Sequence, residues 1–202
     1  MTDTLVIGAG PAGLMAAEML ADHGHSVLIA EAKPSAGRKF LMAGKSGLNL
    51  TKDEGFEAFL TNFHEAAEWL RPMLEGFSNT DVANWAGGLG QEVFTGSSGR
   101  GFPKTMKSSP LLRAWLGRLH SKGVILNTRW KWVGIEGGGQ VFETPDGIKT
   151  VTPKATILAL GGASWSRLGS DGSWVDILGV QGVPITTLQP ANMGFAVDWS
   201  PH

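Results

Sequence analysis

Residues 4–31, TLVIGAGPAGLMAAEMLADHGHSVLIAE, hold an apolar run, a glycine-rich turn, a helix-like segment and a second apolar run. The pattern predicts a buried strand over residues 4–8, a helix over 12–23 that stops at Gly24, and a second buried strand over 26–30. A strand, a helix and a strand within about 30 residues are typical of a right-handed βαβ unit. The stretch therefore predicts an α/β fold built on a parallel sheet.

The turn between the first strand and the helix reads G-x-G-x-x-G, a pattern typical of Rossmann-like sites for the diphosphate of a dinucleotide. We expect Gly8 to permit the tight turn, Gly10 to admit a pyrophosphate, and Gly13 to let the helix pack closely on the strand. The helix N-terminus would add free N–H groups and a partial positive charge. The predicted cofactor-binding residues of this turn are Gly8, Ala9, Gly10, Pro11, Ala12 and Gly13.

An acidic residue is expected about 20 positions after the glycines, at the end of the second strand. Glu31 stands there, followed by Ala32, and we expect both to line the cofactor site. A carboxylate accepts hydrogen bonds from both ribose hydroxyls and repels a 2′-phosphate, so FAD or NAD is predicted over NADP. The chain opens with this unit, as FAD proteins commonly do, and this favours FAD. The alternative is a glycine turn in an ordinary α/β protein.

Gly44-Lys45-Ser46 matches the end of the phosphate-binding loop of nucleotide triphosphatases. That loop requires G-x-x-x-x-G-K-[ST] between a strand and a helix. Its first glycine would stand at position 39, where the chain has Lys39, and residues 47–51 are a poor start for a helix. The triphosphatase interpretation is therefore rejected.

The middle of the chain predicts further helices. Apolar residues over 55–75 have near-helical spacing, and a short helix is expected from Thr80 to Trp85. Ser109 is predicted to cap another helix, with Pro110 in its first turn and Gly123 at its end.

Strands are expected in the last third. Short strands cover residues 124–152, with turns at 137–139 and 145–147. A further buried strand is expected over 155–160. Together these elements predict a parallel sheet with helices and a small β-meander.

Residues 37–51, GRKFLMAGKSGLNLT, resemble the hallmark of a bacterial family of NAD(P)/FAD-dependent oxidoreductases, described as BaiN-type or aminoacetone-oxidase-like. The usual pattern is roughly G-[KR]-K-x-L-x-[SA]-G-G-G-R-C-N-x-T. This chain has Gly47-Leu48 where Arg-Cys is usual, so a role of that arginine or cysteine cannot be carried over. The positions that keep the pattern are Gly37, Lys39, Leu41, Gly44, Asn49 and Thr51.

Two later stretches resemble the same family: residues 96–103 followed by 106–116, and residues 159–164 followed by Gly169-Ser170-Asp171-Gly172. The resemblance implies a glutathione-reductase-like topology, with an incomplete FAD-binding domain over 1–188. Residues 189–202 would begin a truncated substrate domain, with a strand-like run from Gly194 to Trp199. Such a fragment is expected to bind the adenosine half of FAD better than the flavin half.

By this resemblance, the loop from Lys39 to Thr51 runs beside the pyrophosphate, the ribityl chain and the flavin ring. Backbone N–H groups and the Asn49 amide could bond the cofactor's oxygens, while Lys39 supplies charge. An ordinary solvated loop is the alternative. Trp132 or Val133 is expected to touch the adenine through backbone atoms, although the indoles of Trp115, Trp130 and Trp132 are mainly expected in the core or on a sheet face. The implied site residues are Lys39, Gly44, Ser46, Gly47, Asn49, Leu50, Thr51, Trp132, Ala159, Gly161 and Gly162.

Composition narrows the classes of function. The 202 residues suit one soluble domain, or one and part of a second. The absence of cysteine excludes disulfides, thiolate metal ligands and a redox dithiol, and the five histidines match no metal-ligand pattern, so no metal is expected. The net charge of −1 gives no reason to expect a nucleic acid or an anionic membrane as partner. No apolar run is long enough to span a bilayer, and a cytoplasmic location is expected.

The sequence thus predicts an FAD-dependent oxidoreductase, or its FAD-binding fragment, that uses the flavin for hydride or electron transfer on an unidentified small molecule. NAD(P)H is a candidate electron donor. No residue stands out as catalytic, and the oligomeric state is open. The alternatives are a non-catalytic dinucleotide-binding module and an RNA-modifying flavoprotein. The near-neutral charge argues against the latter, because phosphate contacts dominate RNA affinity.

Overall fold

The computed structural model describes residues 2–43, 47–189 and 197. The helices of these residues are α1 (Pro11–Asp22), α2 (Arg38–Ala43), α3 (Phe56–Thr61), α4 (Ala67–Gly76), α5 (Asn79–Gly88), α6 (Ser108–Ser121) and α7 (Trp174–Val180). The strands are β1 (Thr4–Ile7), β2 (Val27–Glu31), β3 (Thr51–Lys52), β4 (Val93–Thr95), β5 (Arg100–Pro103), β6 (Ile125–Thr128), β7 (Lys131–Glu136), β8 (Gly139–Thr144), β9 (Gly147–Val151) and β10 (Ala155–Leu158).

A four-stranded sheet in the order β10-β1-β2-β6 forms the centre of the fold. All three of its strand pairs are parallel. The chain passes from β1 through α1 to the neighbouring β2, which confirms the predicted βαβ unit. Because β1 is buried on both faces, Leu5, Val6 and Ile7 follow one another without polar alternation, as expected for an inner parallel strand.

Two different layers cover the two faces of this sheet. On one face, Val6 and Ile29 pack with Leu14 of α1 and with Leu111 and Trp115 of α6. On the other face, Leu5, Ile7, Leu28 and Ala30 pack against Trp132 and Phe142 of the antiparallel sheet β7-β8-β9. The predicted Rossmann-like α/β fold with a small β-meander is therefore confirmed.

A buried carboxylate joins α1 to the helices beside it. Glu18 is 3% exposed and accepts hydrogen bonds from the indole nitrogens of Trp115, at 2.6 Å, and Trp85, at 3.2 Å. Nη2 of Arg118 lies 2.8 Å from the other carboxylate oxygen, as an ion pair whose geometry is not that of a hydrogen bond. This cluster connects α1, α5 and α6, since a buried carboxylate is stable only when its partners stay in place.

A smaller antiparallel sheet, β3-β5-β4, lies outside the central sheet. Thr51, the last residue of the hallmark stretch, pairs with Gly101. This sheet was not predicted, because its strands are short and Gly101 and Pro103 are poor strand formers.

Two predicted helices differ in extent from the structure. The helical pattern over 55–75 is divided into α3, a short 3-10 turn at His64–Ala66, and α4. The Asn62 amide donates to the carbonyls of Ala58 and Phe59, and His64 takes a left-handed φ of 49°, so the first helix ends there. The helix predicted from Thr80 to Trp85 is longer, because Ser78 and Asp81 form a capping box before α5.

The predicted cap of α6 was wrong. Lys107 precedes the first helical residue with an extended backbone, and no side chain caps this end. Ser109 lies inside the first turn. Ser108 is buried and donates to the carbonyl oxygen of Leu41 at 3.3 Å, so its hydroxyl serves the contact with α2 instead.

Among the described helices, none is long and apolar enough to cross a membrane.

Candidate functional site

A cavity of about 660 Å³ lies at the carboxyl edge of the central sheet, beyond β1, β2 and β10. This is the edge at which open α/β sheets bind ligands. The volume falls within the range of about 300–1,000 Å³ that is typical of small-molecule and cofactor sites. We call this cavity the cleft.

The three glycines of the turn after β1 meet different surroundings. A Cβ atom at Gly13 would lie 1.9 Å from the carbonyl oxygen of Gly8, so only glycine lets α1 approach the strand this closely. Gly8 has a φ of +106°, and a Cβ there would lie 2.4 Å from the carbonyl oxygen of Ala159. A Cβ at Gly10 would meet nothing within 4 Å, because this glycine faces open space in the cleft. The surroundings of Gly8 and Gly13 agree with the tight turn and the close packing predicted for them, and the approach of a pyrophosphate at Gly10 stays a prediction.

The N-terminus of α1 faces the same cleft. Gly10 precedes the helix with an extended backbone, Pro11 is its first residue, and no side chain caps it. The first turn contains no acidic residue. The partial positive charge and the first N–H groups at the N-terminus of this 12-residue helix are therefore available to an anion.

Glu31 is held rigidly at the end of β2. Its Oε2 accepts the backbone N–H of Ala9 and its Oε1 accepts that of Lys33, each at 2.8 Å. A carboxylate oxygen has two lone pairs, so each oxygen keeps one acceptor position after these bonds. Because Glu31 lines the cleft, these positions can accept hydrogen bonds from two hydroxyl groups of a sugar.

The charges around the cleft suit an anionic ligand. Its lining includes four cationic side chains against two carboxylates; the cations are those of Lys33, Arg38, Lys39 and Lys131. Lys39 makes no ion pair with a described residue, and a Cβ at Gly161 would lie 3.6 Å from its ammonium. The Ser173 N–H and hydroxyl hydrogen-bond to Asp171 and, with a smaller contribution from Lys33, hold the pKa of that carboxyl below its ordinary value. Asp171 therefore stays ionised at neutral pH.

Three tryptophans line the cleft at two places. Trp132 is 6% exposed and donates from Nε1 to Oε1 of Gln140 at 2.9 Å, so its indole belongs to the core. Trp130 is half-buried; it packs against the same core cluster, as expected, and also lines the cleft. On the β10 side, Trp174 donates from Nε1 to the carbonyl oxygen of Gly161 at 3.0 Å.

The structure brings most of the predicted site residues together. The predicted residues that line the cleft are Gly8, Ala9, Gly10, Pro11, Ala12, Glu31, Ala32, Lys39, Trp132, Ala159 and Gly161. Gly13 lies beneath the turn, where its packing role was predicted. Gly162 does not line the cleft, and Gly44 and Ser46 lie outside the described residues.

The hallmark stretch is divided. Lys39 lies in α2 rather than in a loop, which corrects the expectation for the first part of this segment. The described residues of its second part do not line the cleft; they are Gly47, Asn49, Leu50 and Thr51. Leu48 and Leu50 donate their N–H groups to the carbonyl oxygens of Met106 and Gly101, so this part of the chain runs alongside β5 and the residues just after it. Thr51 instead lines a second cavity of about 180 Å³ beside Asn79. A contact of this part with a flavin stays a prediction.

Sequence reasoning missed several lining residues. Neither Lys33 nor Trp130 stands in a recognisable motif. Their positions beside the cleft depend on how the chain after β6 folds against the end of β2. Ser170 and Asp171 stood inside a quoted stretch and could have been identified from it. Within the described ranges, no group of His, Asp or Glu residues is placed to hold a metal ion.

Comparison with known proteins places the fold. The family described as HI0933-like protein Rossmann domain matches residues 2–193. Among solved structures, Thermovibrio ammonificans THI4 is similar with a TM-score of 0.56 and 17% identity, over 91% of this chain and 64% of that one. The 3-ketosteroid-Δ4-(5α)-dehydrogenase of Rhodococcus jostii RHA1 is similar with a TM-score of 0.61 and 15% identity, over 81% of this chain and 46% of that one. The chain thus spans less than two thirds of either protein, and at these identities the likeness concerns the fold alone.

Proposed function

Because the chain belongs to the family of HI0933-like Rossmann domains, we propose that its cleft binds FAD and that it serves as the FAD-binding part of an oxidoreductase. The observation that carries the proposal is Glu31, fixed by the backbone of Ala9 and Lys33 beside the glycine turn. A carboxylate so placed, next to an uncapped helix N-terminus, fits a ribose joined to a diphosphate. The hallmark resemblance supports FAD over NAD as the dinucleotide.

The residues of the cleft fit the adenosine diphosphate half of this cofactor. Gly10 leaves open space where a diphosphate can approach the backbone, and the N-terminus of α1 stabilises its charge. Lys39 supplies a cation without a described ion-pair partner beside Gly161. The two remaining acceptor positions of Glu31 receive the ribose hydroxyls.

When bound, FAD would supply hydride and electron transfer at its flavin ring. The chain's own residues bind and orient the cofactor. Glu31 fixes the sugar, the glycine turn and α1 fix the diphosphate, and Asp171 places a stable negative charge at the β10 side of the cleft. The substrate is a small molecule of unidentified class. A BaiN-type or aminoacetone-oxidase-like specificity rests on residues 37–51 and is a narrower hypothesis within this proposal.

A non-catalytic dinucleotide-binding module is the second candidate. The observation that favours it is the placement of the second part of the hallmark stretch, whose described residues follow β5 instead of lining the cleft. In this candidate, affinity comes from the adenosine diphosphate half, and the flavin half adds little. The visible absorption spectrum of the purified protein separates the two candidates. A bound flavin that NAD(P)H reduces supports the oxidoreductase, and a colourless protein that binds ADP supports the module.

Substitution of Glu31 tests the proposal directly. Glu31→Gln keeps the shape of the side chain but replaces one acceptor oxygen with an amide NH₂ that opposes a backbone N–H. We expect the affinity for ADP, measured by calorimetry, to fall roughly ten- to a hundredfold, since a charge-assisted hydrogen bond contributes roughly 1.5–3 kcal/mol. Glu65→Gln, an exposed residue outside the cleft, is the matched control and should bind like the wild type. Unchanged binding by Glu31→Gln would refute the assigned role of this carboxylate.

A further inference from the structure

The sheet order shows where the base of a bound dinucleotide would lie. The proposed diphosphate position is at the N-terminus of α1, which follows β1, and Glu31 ends the neighbouring strand β2. If the diphosphate lies at the end of β1 and the ribose at the end of β2, the base lies beyond Glu31, on the side of β6. Trp130 lies there, in the connection between β6 and β7.

Trp130 is fixed beside the ribose position before any ligand binds. Its backbone N–H donates to the carbonyl oxygen of Glu31 at 2.9 Å. Its indole packs against Phe142, which is fully buried, with 5.5 Å between ring centroids. The ammonium of Lys149 lies 5.5 Å from the indole centroid. Because these contacts already restrict the ring, a ligand that packs on it loses little affinity to side-chain ordering.

The neighbouring tryptophan is not available in the same way. The indole of Trp132 is buried in the core with Leu5 and Phe142, and its nitrogen is hydrogen-bonded to Gln140. Trp130 is half-buried and belongs to the lining of the cleft. Its indole is therefore the aromatic surface that a base at this end of the cleft would meet.

We infer that the indole of Trp130 is the wall against which the adenine packs, and that it makes the cleft select a purine over a pyrimidine. The inference rests on the proposed function, since it assumes a dinucleotide in the cleft. A purine offers a larger ring surface than a pyrimidine, so it gains more from the same indole. The contact of adenine with the indole is expected to raise the affinity about tenfold, as other contacts between a base and an aromatic side chain do.

Calorimetric titration of three variants with ADP and with UDP tests the inference. Trp130→Leu keeps an apolar side chain, and the backbone bond to Glu31, but removes the aromatic surface. We expect it to weaken ADP binding about tenfold and UDP binding less, so that the preference for ADP shrinks. Trp130→Phe retains a ring and should keep most of the preference. The matched control is Trp69→Leu on α4, a 70% exposed tryptophan outside the lining of the cleft, and it should bind both nucleotides like the wild type.

The outcomes separate this inference from the proposed function. Wild-type protein that binds neither ADP nor FAD would overturn the proposed function, and the inference with it. Wild-type protein that binds ADP, together with a Trp130→Leu variant that binds it equally well, would overturn the inference alone. Equal losses for ADP and UDP would also overturn it, because a general disturbance of the cleft acts on both nucleotides.

Discussion

Gly10 and Gly13 are separated by two residues, yet their surroundings are opposite. Gly13 lies against a backbone carbonyl that cannot move without distorting the turn, whereas Gly10 has open space around it. Gly13 is therefore required for packing, and Gly10 leaves room for the proposed ligand. This difference allows stability and binding to be separated by two single substitutions.

Gly13→Ala should destabilise the fold by at least about 3 kcal/mol, because its Cβ would overlap the Gly8 carbonyl oxygen. Gly10→Ala should change stability by no more than about 1 kcal/mol, the usual scale of a change at a helix N-cap. It should nevertheless abolish most ADP binding, because the new methyl group occupies the path of the diphosphate. Urea unfolding and calorimetry measure the two effects. Loss of stability without loss of binding in Gly10→Ala would contradict this assignment.

At the scale of elements, Glu18 fixes α1 against the helices on the same face of the sheet. Its carboxylate is bonded to two indoles from α5 and α6 and paired with Arg118. These partners are far apart in sequence, so the cluster forms only when the three helices have docked. The fold thus places a charged group at a point where an apolar residue would be expected.

Glu18→Ala should cost about 3–5 kcal/mol in the free energy of unfolding, since it leaves Arg118 and two indole N–H groups without their partner. Glu18→Gln should cost less, because the amide oxygen can still accept the bond from Trp115. Chemical denaturation of both variants measures this order. An equal cost for the two would show that the acceptor atom is unimportant and that only volume matters.

The opposite edge of the sheet carries an exposed ion pair. Asp3 accepts hydrogen bonds from Ser26 and pairs with Lys154, so it connects the segments before β1, β2 and β10. Hydrogen bonding to Lys154, and to a smaller extent to Ser26, lowers the pKa of Asp3 far below its usual value. A carboxyl whose pKa is depressed in the folded state adds stability above its unfolded pKa and loses it as the pH falls.

The difference in stability between wild type and Asp3→Asn should therefore be constant near neutral pH and shrink below about pH 4, where the unfolded carboxyl becomes protonated. Thermal unfolding at a series of pH values measures it. Because the pair is exposed, added salt should also reduce the difference. A difference that grows in acid would show that the carboxylate is not the stabilising form.

Local patterns predicted the β1–α1–β2 unit and Glu31, since a glycine turn, a buried strand and an acid at a fixed spacing are all short-range signals. The cluster around Glu18 and the place of Trp130 could not be predicted, because both depend on contacts between segments far apart in the chain. The hallmark stretch was recognised as a motif, but its division between α2 and β3 depends on the small sheet, whose strands gave no clear pattern. Sequence thus indicated the parallel sheet and the acidic residue at its edge better than the walls of the cleft.

At the scale of the whole molecule, the α/β sheet and the β-meander together form a cleft whose described lining fits an adenosine diphosphate. The lining combines a fixed acceptor at Glu31, an uncapped helix N-terminus and a cation at Lys39. The matched structures extend well beyond the length of this chain. Nucleotide binding by the cleft is therefore the part of the proposed function that can be tested with this chain by itself.

Competition between FAD and its parts is the most direct test of the central claim. ADP or FMN is added to the purified protein loaded with FAD, and the FAD that stays on the protein after gel filtration is measured by chromatography. We predict that ADP displaces FAD completely at concentrations at which FMN displaces little, because the adenosine diphosphate half makes the described contacts. Displacement by FMN and not by ADP would contradict the account.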